Sequence, residues 1–379
     1  MKILMLSEDV AICIPGTNAR KRMEAYAALF DELHVVVLAG PGYTYERAEK
    51  LFLYPAAARG GVMRRWRMYE AARIIIRRVR CDMVSVQGPN EVGLIAYAIA
   101  RMARIPWQLQ IHTDVLSPYY RRAGVKEFAR WLMARFLIPR ASCIRVVSER
   151  IKQSLIEFGV GNHESRITVL PIFTDTRAFL HAEKDAIIEG RLRRFDFKML
   201  AVGRMVEREK NFLLLIEAMA DFVKAHPSSM LMIVGEGPDR SMYEAAIRMR
   251  GLENNVMLES WRDDLPSLFQ SFDVFFSSSR YEGWGRAVLE AMASSVPVIM
   301  TDTGVSGEIV RDRENGRVVA VEDREAFGAA MEEMHQDPDM RRRLALAGER
   351  TARALAPETQ EEYLVLYKRS CSSCILSQE

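Results

Sequence analysis

Two glutamates eight residues apart, Glu282 and Glu290, bracket the segment Ser279-Arg-Tyr-Glu-Gly-Trp-Gly-Arg-Ala-Val-Leu-Glu-Ala-Met-Ala293. Upstream, Asp273-Val-Phe-Phe276 reads as a short buried strand. Leu289 and Met292 recur at helical spacing, so the segment reads as strand, glycine turn, helix. Glu282 then stands in the turn and Glu290 on the helix, and the two are not an acid–base pair on one helix face. They read as separate contacts to one elongated ligand. The backbone N–H groups of the turn and the helix N-terminus between the two acids suit an anion such as a diphosphate.

Other strand ends carry matching chemistry. Met199–Val202 runs into Gly203-Arg-Met-Val-Glu-Arg-Glu-Lys-Asn211, which places Arg204 and Lys210 at the carboxyl end of a strand. A guanidinium recognises phosphate oxygens through two parallel bonds and an ammonium acts as a point charge, so the pair suits a diphosphate leaving group. Glu207, Arg208 and Glu209 share the stretch, and a merely charged loop is the competing reading. Met230–Val234 ends in Gly235-Glu-Gly-Pro-Asp239, which lacks the third glycine of a dinucleotide fingerprint. In the first half, His112 closes the strand Gln108–Ile111, where an imidazole can act as hydrogen-bond donor or base. A histidine satisfied within its own domain is the alternative there. The chain has no P-loop and no His-Glu-x-x-His, so a P-loop enzyme is not expected, and neither is a metal-dependent sugar transfer.

The elements that must position these residues alternate. Strands are expected at Lys2–Leu6, His34–Leu38, Met83–Val86, Gln108–Ile111, Cys143–Val147 and Ile167–Leu170, with helices between them. The alternation restarts at Met199 and runs through Met230–Val234, Val256–Leu258, Val274–Phe276 and Val296–Met300. Apolar strands separated by helices imply parallel sheets with helices on both faces, and ligands then bind at the strands' carboxyl ends. Residues 172–197 are polar and show no firm strand. The expected division is a first α/β domain over 1–173, a linker over 174–197, a second α/β domain over 198–355, and a C-terminal helix and tail over 356–379. The fold class is α/β, with two Rossmann-like domains facing across a cleft.

Composition narrows the function classes. The 379 residues are 27% charged with a formal net charge of +3, but the sign is unevenly spread. Residues 1–180 hold 27 Lys and Arg against 16 Asp and Glu, and the remainder holds 26 against 34. Arginines cluster over 59–80 and 121–140, interleaved with Trp66, Tyr69, Trp131 and Phe136. Such helices dock on an anionic membrane or form a solvated face over an apolar inner one, and both readings stand. Nucleic acid is not an expected partner, because no recognition motif appears. No apolar run reaches about 18 residues and the N-terminus lacks the form of a signal peptide. The five cysteines are scattered and fit a reducing cytoplasm better than a disulfide framework, with Cys371-Ser-Ser-Cys374 incidental.

Taken together, these motifs resemble those of retaining glycosyltransferases of family 4, which have the GT-B fold. The Glu-x(7)-Glu signature matches Ser279, Glu282, Gly283, Gly285, Glu290, Ala291, Met292 and Ala293. A Gly-Arg-x(5)-Lys-Asn element matches Gly203, Arg204, Lys210 and Asn211; Gly-x-Gly-Pro matches Gly235, Gly237 and Pro238; and a further run matches Pro297 to Glu308. The resemblance implies that Arg204 and Lys210 bind the donor diphosphate and that Glu290 accepts from the ribose hydroxyls. It implies that Glu282, with the amides of Gly283, Trp284 and Gly285, holds the sugar, and that His112 reaches it from the first domain. Gly16 and Thr17 would form the loop near donor and acceptor. Pro15-Gly16-Thr17 stands where the family often has two glycines, Ser295 where a helix-ending glycine is common, Val305 at a second glycine, and Pro171-Ile-Phe-Thr-Asp175 in place of Pro-Asn-Gly-x-Asp.

The expected function is therefore retaining transfer of a hexose from a UDP- or GDP-sugar to an acceptor hydroxyl of a lipid-linked or envelope glycan. No metal or other cofactor is expected, and the location is the cytoplasm or the inner face of the membrane. A nucleotide-sugar epimerase on the same fold and a non-enzymatic membrane-binding module are the rivals.

Overall fold

The computed structural model describes residues 1–180, 182–355 and 359–376. The chain forms two units, Met1–Pro171 with Thr359–Glu379, and Ile172–Glu358.

The first unit runs β1 (Lys2–Ser7), α1 (Asn18–Ala28), β2 (Glu32–Val37), β3 (Glu46–Ala48), β4 (Leu51–Pro55), α2 (Gly61–Val79), β5 (Met83–Gln87), α3 (Glu91–Ala103), β6 (Trp107–Ile111), α4 (Pro118–Arg122), α5 (Val125–Leu137), β7 (Cys143–Val146), α6 (Glu149–Leu155) and β8 (Ile167–Val169). Its eight-stranded sheet has the order β3-β4-β2-β1-β5-β6-β7-β8 and is parallel except for β3, which pairs antiparallel with β4. Ile3–Leu6 are almost wholly buried, as strands covered on both faces must be. Crossover helices begin on side-chain caps: Asn90 Oδ1 accepts from the Val92 and Gly93 amides, and Ser148 Oγ from Ile151.

The second unit runs α7 (Arg177–Leu180), α8 (Ala186–Leu192), β9 (Phe197–Val202), α9 (Glu207–Lys210), α10 (Phe212–Ala225), β10 (Ser229–Val234), α11 (Arg240–Met249), β11 (Val256–Glu259), α12 (Leu265–Phe269), β12 (Val274–Ser277), α13 (Arg286–Ala293), β13 (Val298–Thr301), β14 (Arg317–Val319), α14 (Arg324–Gln336) and α15 (Pro338–Leu355). Its six strands are all parallel, in the order β11-β10-β9-β12-β13-β14. Seven residues of α10, from Phe212 to Phe222, are buried in the core beneath this sheet. At about 1.5–3 kcal/mol for each large side chain removed from water, this one helix contributes several kcal/mol to holding β9 in place.

A last helix, α16 (Gln360–Leu376), packs on β6 and β7 of the first unit. Tyr367 stacks on Tyr26 with ring centroids 3.9 Å apart. The buried Arg145 of β7 donates to the Tyr363 hydroxyl (2.7 Å) and to Gln110 Oε1 (2.9 Å). Of the segment expected to form the C-terminal helix and tail, 356–358 and 377–379 lie outside the described residues.

Three expectations are corrected. The polar stretch 174–197, expected as a linker, holds α7 and α8 and belongs to the second unit, where Phe179, Ile188, Leu192 and Phe195 are buried. Of that stretch, residue 181 is outside the described set. The cysteines are not all free, because Cys143 on β7 and Cys374 on α16 form a disulfide with Cα atoms 5.2 Å apart. The return of α16 to the first sheet brings together thiols 231 residues apart in sequence. Finally, β3, β4 and β14 extend the two sheets beyond the expected strands. Ser295 adopts φ +54 at the end of α13, the left-handed conformation usually left to glycine, and its hydroxyl is tied to Glu349.

Candidate functional site

The residues expected to hold the donor lie in the second unit, on two loops that leave the carboxyl ends of β9 and β12. The first begins at Gly203 and is seated on the Gly235-Glu-Gly237 turn, backbone against backbone. A Cβ on Gly235 would lie 1.9 Å from the Gly203 carbonyl oxygen, and one on Gly237 would lie 2.3 Å from that of Met205. The Gly203 amide donates to the Val234 carbonyl (3.0 Å) and the Met205 amide to that of Glu236 (2.8 Å). The second Gly-x-Gly is thus a platform that lets two loops touch, which no residue with a side chain permits. Asp239 fixes the start of α9 by accepting from the Glu207 amide (2.8 Å). Asn211 then takes φ +52, a conformation that asparagine tolerates better than most residues, and separates α9 from α10. Lys210 closes α9 with its stem across Gly203, where an added Cβ would lie 3.3 Å from Cε.

The second loop is stitched to the first. Ser278 Oγ donates to the Lys210 carbonyl (2.7 Å), and the Arg280 amide donates to that of Glu209 (2.8 Å). The Lys210 ammonium pairs with Glu282 and lies 3.8 Å from Glu209. Arg204 forks onto the two carboxylate oxygens of Glu209 at 2.8 and 3.1 Å. Ser279 Oγ donates to Glu282 (3.0 Å), and Thr301 holds the Ser279 carbonyl (2.6 Å). Arg204 is 72% exposed, whereas Lys210 and Glu282 are 16% exposed. Burial works against the Lys210 charge, but the carboxylates of Glu282 and Glu209 outweigh it and raise the ammonium pKa, so it stays charged across the physiological range.

The turn after Glu282 is shaped from beneath by Gly304. Its φ is +52, and a Cβ there would meet Glu282 Cβ at 2.9 Å and the Trp284 carbonyl at 3.1 Å. Gly283 is buried, and Gly285, at φ +89, caps the start of α13. Trp284 is buried, 6% exposed, with its carbonyl against Gly304. One turn into α13, Glu290 is 5% exposed and bonded by Arg286 at 3.0 Å. Arg204, Lys210, Glu282, Gly283, Trp284, Gly285 and Glu290 therefore all belong to these two loops and the helix that follows them.

His112, Gly16 and Thr17 belong to the first unit. His112 follows β6, half-buried, with Nε2 3.4 Å from Gln110 Oε1. Burial, reinforced by the cations of Arg145 and Arg22, pushes its pKa down to about 3, so the imidazole is neutral at physiological pH. Gly16 is exposed at φ +81, with open space where a Cβ would point. The Thr17 side chain is engaged within its own unit. Its hydroxyl donates to the Ala11 carbonyl (2.7 Å) and accepts from the Arg20 amide (3.1 Å), capping α1.

Sequence reasoning passed over three contributors. Glu209 was visible only as a neighbouring acid, yet it holds both Arg204 and Lys210. Arg280 ties the loops by pairing with Glu207 at 3.1 Å and Glu322 at 2.6 Å. Arg286 partners Glu290, and the i, i+4 spacing on a helix was the available signal. Among the described residues, one group could hold a metal ion: His226, Glu332 and His335, with ligand atoms within 4.8 Å of one another. It shares no residue with the loops above.

Comparison with known proteins agrees with this architecture. The model described as glycosyl transferases group 1 matches residues 186–351, and that described as Glycosyltransferase Family 4 matches residues 20–178. EpsD of Bacillus subtilis (strain 168) is 28% identical over 308 residues, covering 79% of this chain and 80% of its own. The UDP-Gal:alpha-D-GlcNAc-diphosphoundecaprenol alpha-1,3-galactosyltransferase of Escherichia coli is 24% identical over 274 residues, 69% of this chain and 68% of its own. HepE of Anabaena, crystallised with UDP and glucose, superposes with a TM-score of 0.73 at 18% identity over the whole of both chains, a likeness of fold. With both units matched in sequence and in architecture, the chain belongs to the family 4 (group 1) glycosyltransferases and has the GT-B fold.

Proposed function

We propose that this glycosyltransferase moves a hexose from a UDP- or GDP-sugar, with retention at the anomeric carbon, to a hydroxyl of a lipid-linked or envelope glycan. The observation that carries the donor half is the Arg204–Glu209–Lys210–Glu282 constellation at the ends of β9 and β12. Lys210 is charged and largely buried, and Arg204 is exposed with guanidinium N–H groups to spare. Both stabilise the charge that grows on the departing diphosphate, where a preorganised cation is worth more than in water. Side chains supply this counter-charge, so the reading needs no metal ion. Glu290 accepts from the ribose hydroxyls. Glu282 and the amides of Gly283, Trp284 and Gly285 hold the sugar, and the carboxylate stabilises positive charge at its reacting carbon. His112, neutral at physiological pH, serves as a hydrogen-bond donor to the sugar.

The acceptor half rests on other support. The Escherichia coli relative acts, by its name, on a diphosphoundecaprenol-linked sugar. The arginine-rich α2 and α5 suit an anionic lipid surface, and among the described residues no helix is long and apolar enough to cross a membrane. Peripheral attachment to an anionic membrane surface is part of this reading. A thermal-shift panel of UDP-, GDP-, ADP- and TDP-sugars tests donor choice: UDP- or GDP-sugars should raise the melting temperature, and a shift confined to other bases would overturn it. NMR of the product tests retention, and an inverted anomeric configuration would refute it.

A further inference from the structure

Two histidines and a glutamate meet at the amino end of the second unit's sheet, away from the loops described above. His226 stands between α10 and β10, and its amide donates to the Phe222 carbonyl (3.0 Å), which ties it to the last turn of α10. Glu332 and His335 lie on α14, which packs on α10. Their i, i+3 spacing, Glu332-Glu-Met-His335, sets both side chains on one face of the helix. Glu333 between them is engaged elsewhere, paired with Arg313 at 2.6 Å and with Arg317. The three residues that converge offer one ligand atom each, all within 4.8 Å of one another.

The contacts inside the cluster leave it open to a cation. His226 Nε2 donates to Glu332, 2.9 and 3.0 Å from the two carboxylate oxygens, so a ring proton stands where a metal ion would bridge nitrogen and oxygen. The His226 and His335 rings are stacked with centroids 4.0 Å apart. His335 Nδ1 is buried with no hydrogen-bond partner among the described residues. A buried ring nitrogen left in that state costs stability, and a neutral imidazole is a metal ligand. Phe197 and Phe222 pack edge-on against His335 at 5.1 and 5.6 Å, and Gln336 donates to Glu332. Such neighbours fix the orientation of the groups that would coordinate. Glu332 also lines a cleft of about 360 Å³ between α10 and α14, with Asp221, Arg324 and Glu325, which gives an ion a way in.

Two imidazoles and one carboxylate suit Zn²⁺, whereas Mg²⁺ and Ca²⁺ take oxygen ligands. Bonds of about 2.0–2.2 Å in a tetrahedron place ligand atoms about 3.3–3.5 Å apart, so the cluster would close by little more than about 1 Å, within reach of side-chain rotation. Water would fill the fourth position. We propose that His226, Glu332 and His335 bind Zn²⁺, and that the ion clips α14 to the turn between α10 and β10 and braces the base of the second unit. The proposal does not depend on the glycosyl-transfer reading. The loops that carry the donor residues leave the opposite, carboxyl ends of β9 and β12, and the ion takes no part in transfer.

The probe is zinc chloride, titrated calorimetrically into the untagged full chain after treatment with a chelator and desalting. One ion per chain should bind with a dissociation constant below about 10 μM and raise the melting temperature by at least about 3 °C. H335Q and E332Q should each weaken binding by at least about tenfold while far-UV circular dichroism is unchanged. Magnesium chloride at about a hundredfold higher concentration should neither bind nor compete. Absence of zinc binding would overturn the proposal, as would unaltered affinity in both variants or displacement of zinc by magnesium. A second arm needs no variant. Co²⁺ bound to the unaltered protein should give the visible absorption of a four-coordinate nitrogen–oxygen site and be displaced by Zn²⁺. Sulfur-to-cobalt charge-transfer bands would place the ion on cysteine and overturn the assignment.

Discussion

Replacing Lys210 with methionine keeps a side chain of similar length across Gly203 and removes only the charge. In the free protein, Glu282 loses its partner and Glu209 loses one of two cations. A fully buried pair broken on one side costs about 3–5 kcal/mol and an exposed one about 0–1 kcal/mol. With both Lys210 and Glu282 16% exposed, the cost should fall between, at about 1–3 kcal/mol. The kinetic effect should be larger. Removing one preorganised group that stabilises transition-state charge costs about 2.7–4 kcal/mol, or about 10²–10³ in rate. Here the same change leaves two carboxylates facing a departing diphosphate without their cation. The assay is nucleotide release and product formation at saturating donor, paired with UDP thermal shift. K210M should lose at least about 10²-fold in kcat and most of the UDP shift. Adding E282Q to K210M should restore part of the lost stability without restoring rate, because the orphaned acid is then neutral. A K210M rate within threefold of the unaltered enzyme would refute the role of this ammonium.

Three further outcomes follow from the geometry. G235A forces a Cβ to 1.9 Å from the Gly203 carbonyl at a backbone φ of +152, so it should abolish the UDP shift, read by differential scanning fluorimetry, while the far-UV circular dichroism persists. His112 has a folded pKa of about 3 against about 6.5 unfolded; the unfolded chain therefore binds the extra proton as pH falls below about 6.5, and stability drops with it. With allowance for solvent at the half-buried ring, the unaltered protein should lose about 1–2 kcal/mol more than H112Q between pH 7 and pH 5 in urea titrations. Under non-reducing conditions C374S should cost the first unit about 2–4 kcal/mol, because it frees a loop of 231 residues, and equal urea midpoints for C374S and unaltered protein would contradict the cross-link.

The sheets were legible where strands are covered on both faces. β1 and β10 hold unbroken apolar runs, Ile3–Leu6 and Met230–Val234, β9 holds one from Met199 to Val202, and β5 is interrupted by Ser85; with the turn residues that bound them, these runs locate the strands. β3 and β14 escaped because each has three residues and carries charge, Glu46-Arg47 and Arg317, at the edge of its sheet. The stretch 174–197 was misread because its apolar anchors, such as Ile188 and Leu192, are diluted among acids and arginines and reveal themselves only when buried. At the site, Arg204 and Lys210 stand in one local motif and could be found. The Lys210–Glu282 contact spans 72 residues and depends on β9 and β12 being neighbours, which no local pattern encodes. The Gly235 platform is a similar case: the glycines were visible, but the need for them arises from backbone that approaches from another loop. Trp284 shows the limit for a single residue, since its type fits both a sugar shelf and a buried prop, and only its burial decides.

The most direct test is proton NMR of the purified protein with UDP- or GDP-hexose, in the presence and absence of a prenyl-diphosphate-linked saccharide, run beside E282A. The expected result is acceptor-dependent release of the nucleoside diphosphate, a product with the donor's anomeric configuration, and loss of both in E282A. Conversion of the nucleotide sugar without acceptor, or undiminished transfer by E282A, would contradict it.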